Sequence, residues 1–234
     1  MDKQDIYTRT EMLIGGAVGK LMSSKVLVCG LGGVGGYTVE ALVRAGIGRI
    51  DVLDNDVFTQ TNLNRQLFAT INTVGRKKTD VARERIKSIN PDCECNVYDL
   101  FYLPQTAYSV DLSVYDYVAD AIDTVTAKLT LIENARKCGV KIISCMGTGN
   151  KLGVDFKVAD ISKTSVCPLA KVMRRELKSR GISGVKAVYS CEEPTVPESP
   201  LTQNGRHIPA SISYAPAVAG LVMAAEIIKD LTEN

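Results

Sequence analysis

Lys25-Val26-Leu27-Val28-Cys29 is a short apolar run that breaks at Gly30-Leu31-Gly32-Gly33-Val34-Gly35-Gly36 and resumes as an amphipathic stretch over 37–45. Strand, glycine turn and helix in that order constrain the fold more than any other part of the chain. Glycines let the backbone come close to a pyrophosphate, and the helix that follows aims unpaired N–H groups and the positive end of its dipole at the anion. The segment predicts a nucleotide phosphate site at Gly30, Gly32, Gly33 and Gly35; a tight turn packing helix on sheet is the plainer reading of the same glycines. A second apolar run, Arg49 to Leu53, closes on Asp54, at the spacing where an acid would bind a ribose hydroxyl. Asp56 could face the same site or cap a turn. Alone, this spells a dinucleotide-binding dehydrogenase. The residues that follow argue against it: Asn62-Leu63-Asn64-Arg65-Gln66, and then Lys78, put cations and amides where a hydride-transfer cofactor needs none and a triphosphate would use them.

Downstream, strand and helix patterns alternate. Helix is expected over 5–22, 36–46, 75–89 and 125–138, and strand over 25–30, 49–54, 94–101, 115–122 and 141–145. Alternation at this pitch with near-continuous apolar strands argues an α/β, Rossmann-like, mostly parallel sheet covered by helices on both faces, with ligand at the carboxyl ends of the strands. After Gly147-Thr148-Gly149 the pattern changes to a strand over 156–160, a basic helix over 168–180, a strand over 185–190, a proline-rich loop over 192–209, a strand-like piece over 211–214 and a closing helix over 216–231. The expected organisation is one domain over 1–234, with an N-terminal helical segment (1–24), a nucleotide-binding half (25–150) and a substrate-side half (151–234).

Composition excludes several classes. With 234 residues, 45% of them hydrophobic, the chain can bury a sizeable core. A net charge of +2 is too small to declare a nucleic-acid partner by itself. The longest apolar stretch, 215–228, is interrupted by Glu226 and reads as a buried helix rather than a membrane span. Seven cysteines, an odd number, with no leading apolar secretion segment, point to the cytosol, and the lack of any Cys-x-x-Cys pair gives a zinc clip little support.

Asn62, Arg65 and Gln66 fall three and four apart, so a helical stretch would put them on one face, either solvated or turned to phosphate. Lys78 follows Lys77 at the start of a helical pattern, and one of the two is solvated on either reading. Asp123 closes a strand on the side of the glycine loop, where a carboxylate could hold the Mg2+ that accompanies a nucleoside triphosphate. No Gly-x-x-x-x-Gly-Lys-[Ser/Thr] is present, which argues against P-loop γ-phosphoryl transfer, and the single histidine, His207, excludes a histidine-centred triad or zinc site. The inventory fits a reaction run by positioning and charge neutralisation. Attack of an ionised carboxylate on the α-phosphate of ATP is such a reaction.

At these residues the chain resembles the ThiF/MoeB, ubiquitin-activating-enzyme-like superfamily: Gly-x-Gly-Gly-x-Gly, Asp-x-Asp after the second strand, Asn-x-x-Arg-Gln, a lysine after Val-Gly and an Asp closing the next strand occur in order. The resemblance implies ATP and Mg2+ as ligands of Asp54, Asp56, Asn62, Arg65, Gln66, Lys78 and Asp123, with Asp123 on the metal and Arg65, Lys78 and Asp123 catalytic. It also implies a homodimer in which Arg9 reaches across to the phosphates. Met146-Gly-Thr-Gly-Asn-Lys151, Cys167-Pro168 with the basic helix, Tyr189-Ser190 with Glu192-Glu193-Pro194, and Ser211-Ile-Ser-Tyr-Ala-Pro resemble the tRNA threonylcarbamoyladenosine dehydratase branch nearly end to end. That branch uses ATP to activate the carboxylate of threonylcarbamoyladenosine beside the anticodon, and capture of the acyl group gives the cyclic form. The implied partners are tRNA and a sulfur-relay protein.

Lys171, Arg174, Arg175, Lys178 and Arg180, with Lys163 and Lys186 nearby, form a cationic cluster that could track a tRNA backbone. A solvated face over buried Leu169, Val172, Met173 and Leu177 accounts for the spacing equally well. Cys167, at a helix start, invites a reactive-thiol reading, although intramolecular capture of an acyl-adenylate needs no enzyme nucleophile. Two other readings stay open from the residues: an adenylyltransferase for a ubiquitin-like sulfur carrier, and a non-catalytic nucleotide-binding module.

Overall fold

The computed structural model describes residues 6–203 and 206–233. In chain order the elements are α1 (Thr8–Ile14), α2 (Ala17–Ser23), β1 (Lys25–Cys29), α3 (Gly35–Ala45), β2 (Arg49–Leu53), α4 (Lys78–Ile89), β3 (Val97–Tyr98), β4 (Tyr117–Asp120), α5 (Val125–Cys138), β5 (Lys141–Cys145), β6 (Phe156–Asp160), α6 (Pro168–Ser179), β7 (Lys186–Ser190), β8 (Thr202–Gln203), β9 (Arg206–His207) and α7 (Ala215–Thr232). Seven strands make one sheet in the order β3-β2-β1-β4-β5-β7-β6, parallel throughout except for β6, which runs antiparallel to β7. The expected α/β architecture is the observed one.

Alternation of side chains along each strand divides the core in two. In β1, Val26 and Val28 join the core under α3, α4 and α7, while Leu27 and Cys29 join the core under α5 and α6. All four are fully buried, and the one charged residue of the run, Lys25, is the exposed one. Strand order reverses between β1 and β4, because β1 leads outward to β2 and β3 whereas β4 leads the other way. A crevice opens at the carboxyl ends of strands at such a switch point.

α7 closes the sheet on the α3 side. Thr38 Oγ1 donates to the Gly220 carbonyl at 3.1 Å, and a Cβ at Gly220 would lie 2.3 Å from the Val34 carbonyl oxygen. The C-terminal carbonyls of α7 receive Lys20 Nζ at Thr232 (3.2 Å) and Lys141 Nζ at Asp230 (3.2 Å), two cations at the negative end of the helix dipole. At the other edge, Asp51 accepts Arg49 in a bidentate pair, the Tyr115 hydroxyl (2.6 Å) and the Asn96 amide (2.9 Å). Burial raises the Asp51 carboxyl, but the bonds from Arg49 and Tyr115 outweigh it and hold the group below its ordinary range.

Four expectations need correction. The N-terminal helix is broken at Gly15, whose φ of +58° ends α1, into two short helices. The strand over 94–101 shrinks to two residues, with Glu94 only bridging to Arg49. Residues 211–214 form no strand; the Ser211 carbonyl accepts the Asn64 side chain, and the Tyr214 hydroxyl donates to the Leu152 carbonyl. The expected loop over 192–209 carries the β8–β9 ribbon; Asn204, Gly205 and the His207 side chain lie outside the described residues. No helix among the described residues is long and apolar enough to cross a membrane.

Two glycine-to-alanine changes should have opposite signs. Gly220→Ala forces apart α7 and the turn before α3 and should destabilise by about 1–3 kcal/mol, whereas Gly19→Ala, in α2 with open space around it, should stabilise by about 0.5–1 kcal/mol. Thermal melts of both variants check the pair, and a Gly220→Ala melt matching the parent would refute the close packing.

Candidate functional site

A cleft of about 830 Å3 lies at the switch point, lined from the carboxyl ends of β1, β2, β4 and β5 and from the segments that follow them. Its floor is the glycine turn. Gly30, at φ +88°, donates its N–H to the Leu53 carbonyl at 2.7 Å, and Gly32 has no outside atom closer than 3.8 Å to the Cβ it lacks. A Cβ on Gly35 would lie 1.7 Å from the Gly30 carbonyl oxygen, so glycine there lets the first turn of α3 sit on the end of β1. Gly35 itself does not line the cleft; its part is this packing. Val34 before α3, Asp123 before α5 and Pro216 in the first turn of α7 all line the cleft, so three helices present their N-terminal ends to it. The α7 contribution was not foreseen; Pro216 just inside a long apolar helix was its signal.

Asp54 and Asp56 extend from the end of β2. Asp54 is buried and accepts the Leu31 amide (2.6 Å) and the Asp56 amide (2.9 Å), one on each oxygen. Each oxygen keeps a lone pair that a ribose hydroxyl could use. Burial pushes the Asp54 carboxyl up despite the opposing charge of Lys78 and the two amide bonds. Lys78, buried at the start of α4, donates to Asp56 at 2.8 Å and lies 3.9 Å from Asp54. Lys77 turns away to Asp99, so Lys78 is the lysine on the cleft.

Asn62, Arg65 and Gln66 share the cleft wall as the spacing suggested, through a 3-10 turn over Gln60–Asn62 followed by amide bonds from Arg65 and Gln66 to the Asn62 carbonyl. Asn62 Oδ1 accepts the Thr59 amide, leaving its NH2 group for a ligand. Arg65 donates to the Thr61 carbonyl (2.8 Å) and to Asn64 Oδ1 (2.9 Å), and no carboxylate among the described residues pairs with it. Its guanidinium is half-buried and burial lowers its pKa, the mark of a cation that lacks a counter-ion. Gln66 is buried, and its Oε1 finds no hydrogen-bond donor among the described residues. A buried acceptor left open costs about 1–3 kcal/mol, which a ligand or water donor in the cleft would offset.

Asp123 is exposed on the rim, and Thr124 Oγ1 donates to it at 3.3 Å. The described residues hold no cluster of three metal-ligating side chains. One free carboxylate facing a phosphate site suits Mg2+, which binds through one or two carboxylates, phosphate oxygens and water. Thr148, Gly149 and 208–211 make a further wall of the cleft. Asn150 builds it: in the left-handed region at φ +57°, its amide donates to the Ala210 carbonyl (2.8 Å) and its Oδ1 accepts the Ala210 amide (2.7 Å). Asn is among the few residues that adopt this conformation readily, the only sequence signal for the clamp.

Other expected residues lie elsewhere. Arg9 is exposed on α1, away from the cleft lining of its own chain. On α6, Lys171, Arg175 and Lys178 share an exposed face, with Arg175 77% exposed beside Glu176. Arg174 departs from the expectation of a free cation: its guanidinium donates to the Thr164 carbonyl (2.8 Å) and hydroxyl (2.6 Å). Arg180 pairs with Glu133 and Glu176, and Lys186 pairs with Glu226 and Asp230 on α7, which removes both from the cluster. Cys167 is buried with its Sγ near Gly147 and does not line the cleft. Burial pushes the Cys93 and Cys95 thiols up to about 11 and about 12, unfavourable for the thiolates a metal needs.

Known proteins are similar to this chain in sequence and fold. The model of the ThiF family matches residues 7–234. The tRNA threonylcarbamoyladenosine dehydratase of Bacillus subtilis is 38% identical over 97% of this chain and 95% of its own length. Crystal structures of the Escherichia coli tRNA N6-threonylcarbamoyladenosine dehydratase superpose with a TM-score of 0.87 in complex with AMP (34% identity; 96% of this chain, 93% of that one) and 0.86 in complex with ATP (33% identity; 97% and 93%). The chain therefore belongs to the ThiF family, in its tRNA threonylcarbamoyladenosine dehydratase branch.

Proposed function

We propose that this chain is an ATP-dependent tRNA threonylcarbamoyladenosine dehydratase that adenylates the threonylcarbamoyl carboxylate and promotes its closure to the cyclic form. The observation that carries the reading is the half-buried Arg65, which has no counter-ion among the described residues, with the Gln66 acceptor that no described donor fills, in a cleft floored by glycine amides. That is a site short of one polyanion with a hydroxyl or amine donor. ATP-bound and AMP-bound relatives at TM-scores of 0.86 and 0.87 support the same ligand.

In the Mechanism this implies, Asp54 orients the ribose, the amides of the glycine turn and Arg65 take phosphate charge, and Lys78 exchanges its Asp56 partner for phosphate oxygen. Mg2+, held by Asp123, would neutralise the charge that pyrophosphate carries away. The substrate carboxylate is already ionised and needs no base; alignment against the 148–149 and 208–211 wall is what the chain supplies. Closure then expels AMP as a nitrogen or the carbonyl oxygen of the adjoining urea bonds to the acyl carbon, a urea N–H giving up its proton in either case. The exposed face of α6 would track the tRNA backbone. Arg9, Met12 and Leu13 lie three and four apart on α1, and the last two are 83% and 85% exposed, so this face would meet a second copy and carry Arg9 to its phosphates.

Product analysis tests the chemistry. With tRNA bearing threonylcarbamoyladenosine, the protein should release AMP and pyrophosphate in step with consumed ATP; ADP and phosphate would contradict attack at the α-phosphate. The α6 reading has its own test. Charge reversal at Lys171, Arg175 and Lys178 together should leave the melting temperature nearly unchanged, because these side chains are exposed, yet weaken tRNA binding and flatten its salt dependence. Arg174→Glu, by contrast, should lower the melting temperature through its lost Thr164 contacts. A tRNA affinity and salt slope untouched by the triple reversal would leave α6 a solvated face.

A further inference from the structure

Under the rim of the cleft lies an ion pair with no access to solvent. Asp120, the last residue of β4, and Lys128, the fourth residue of α5, are both 0% exposed and meet at 3.0 Å. Ser144, the residue of β5 paired in register with Asp120, donates to the same carboxylate oxygen at 2.6 Å and accepts from Lys128 at 3.1 Å. The other oxygen of Asp120 accepts the Ile122 amide at 3.1 Å. Such a pair is a poor source of stability, since the desolvation cost of two ions commonly matches or exceeds their attraction and an apolar isostere would do as well. It gives geometry instead.

The segment between β4 and α5 is short, and Ala121, Ile122 and Asp123 all line the cleft. Its beginning is fixed by the Ala121 amide on the Cys29 carbonyl (2.8 Å), its middle by Asp120 through Ile122, and its far end by Lys128, which also opens the helix with an amide bond to the Thr124 carbonyl (3.0 Å). Ala121 in turn abuts the glycine turn, where a Cβ on Gly30 would lie 2.7 Å from its carbonyl oxygen. One carboxylate thus ties strand, rim segment, helix and the neighbouring strand.

We propose that Asp120, Lys128 and Ser144 are positioning residues that hold the Asp123 carboxylate at the place where Mg2+ meets the triphosphate. The inference rests on the reading of Asp123 as the metal ligand, and none of the three touches substrate. Partners that orient a metal ligand are worth about 10–100-fold in metal affinity.

The test compares calorimetric affinities for AMP, for ATP in chelator and for ATP with Mg2+. Asp120→Ala/Lys128→Met removes both charges together, so no ion is left buried alone. This variant should bind AMP and metal-free ATP as the parent does and lose about tenfold of the gain in ATP affinity that Mg2+ confers. Asp123→Ala should lose at least as much. A full Mg2+ gain in the double variant, with Asp123→Ala deficient, overturns the positioning role and leaves the Asp123 reading intact; a full gain in both overturns the Asp123 reading and the inference with it. Should the double variant fail to fold, Ser144→Ala decides: it deletes one support and no charge, and must show a smaller loss in the same direction, an unchanged gain overturning the proposal.

Discussion

The contact between the first turn of α3 and the end of β1 governs the rest of the molecule. It exists because Gly35 has no side chain to strike the Gly30 carbonyl, and it brings the N-terminal end of a helix onto the strand where the sheet order reverses. From that contact follow the glycine amides on the cleft floor, the position of Asp54 through the Leu31 amide, and the space that Ala121 occupies behind Gly30. The opposite side of α3 is set by a second close approach, at Gly220, which brings α7 and Pro216 to the same cleft. Backbone packing therefore precedes and places the polar chemistry.

The cations of the cleft are not equivalent. Lys78 is buried and already paired, with Asp56 at 2.8 Å and Asp54 at 3.9 Å. Among the described residues Arg65 meets only a carbonyl and an amide oxygen, so no carboxylate balances its charge there. A planar guanidinium tolerates that setting, since it is weakly hydrated and keeps its charge when partly buried. Beneath them the Asp120–Lys128 pair is self-contained and turns no charge toward the ligand.

Local pattern made much of this legible. Strand periodicity and the glycine turn gave the parallel sheet and its crevice, and the spacing of Asn62, Arg65 and Gln66 put them on one wall even though the helix assumed for them is only a turn. What escaped depends on contacts distant in sequence. Helical spacing sets Arg174 beside the buried Ala170 and Leu177 and Arg175 on the exposed face, but the partner of Arg174, Thr164, lies on the preceding segment and no pattern within the helix names it. Lys186 looked like part of the same patch, yet strand alternation turns it to α7. The 208–211 wall has no regular pattern and exists because Asn150 clamps it. Resemblance to a family supplied the tRNA substrate, which no residue type or spacing in the chain specifies.

The most direct test of the account is nucleoside analysis by mass spectrometry of tRNA carrying linear threonylcarbamoyladenosine, after incubation with the purified protein, ATP and Mg2+. The account predicts ATP-dependent conversion of that nucleoside to a product lighter by one water. Recovery of the unchanged nucleoside from a folded protein that binds ATP would contradict it.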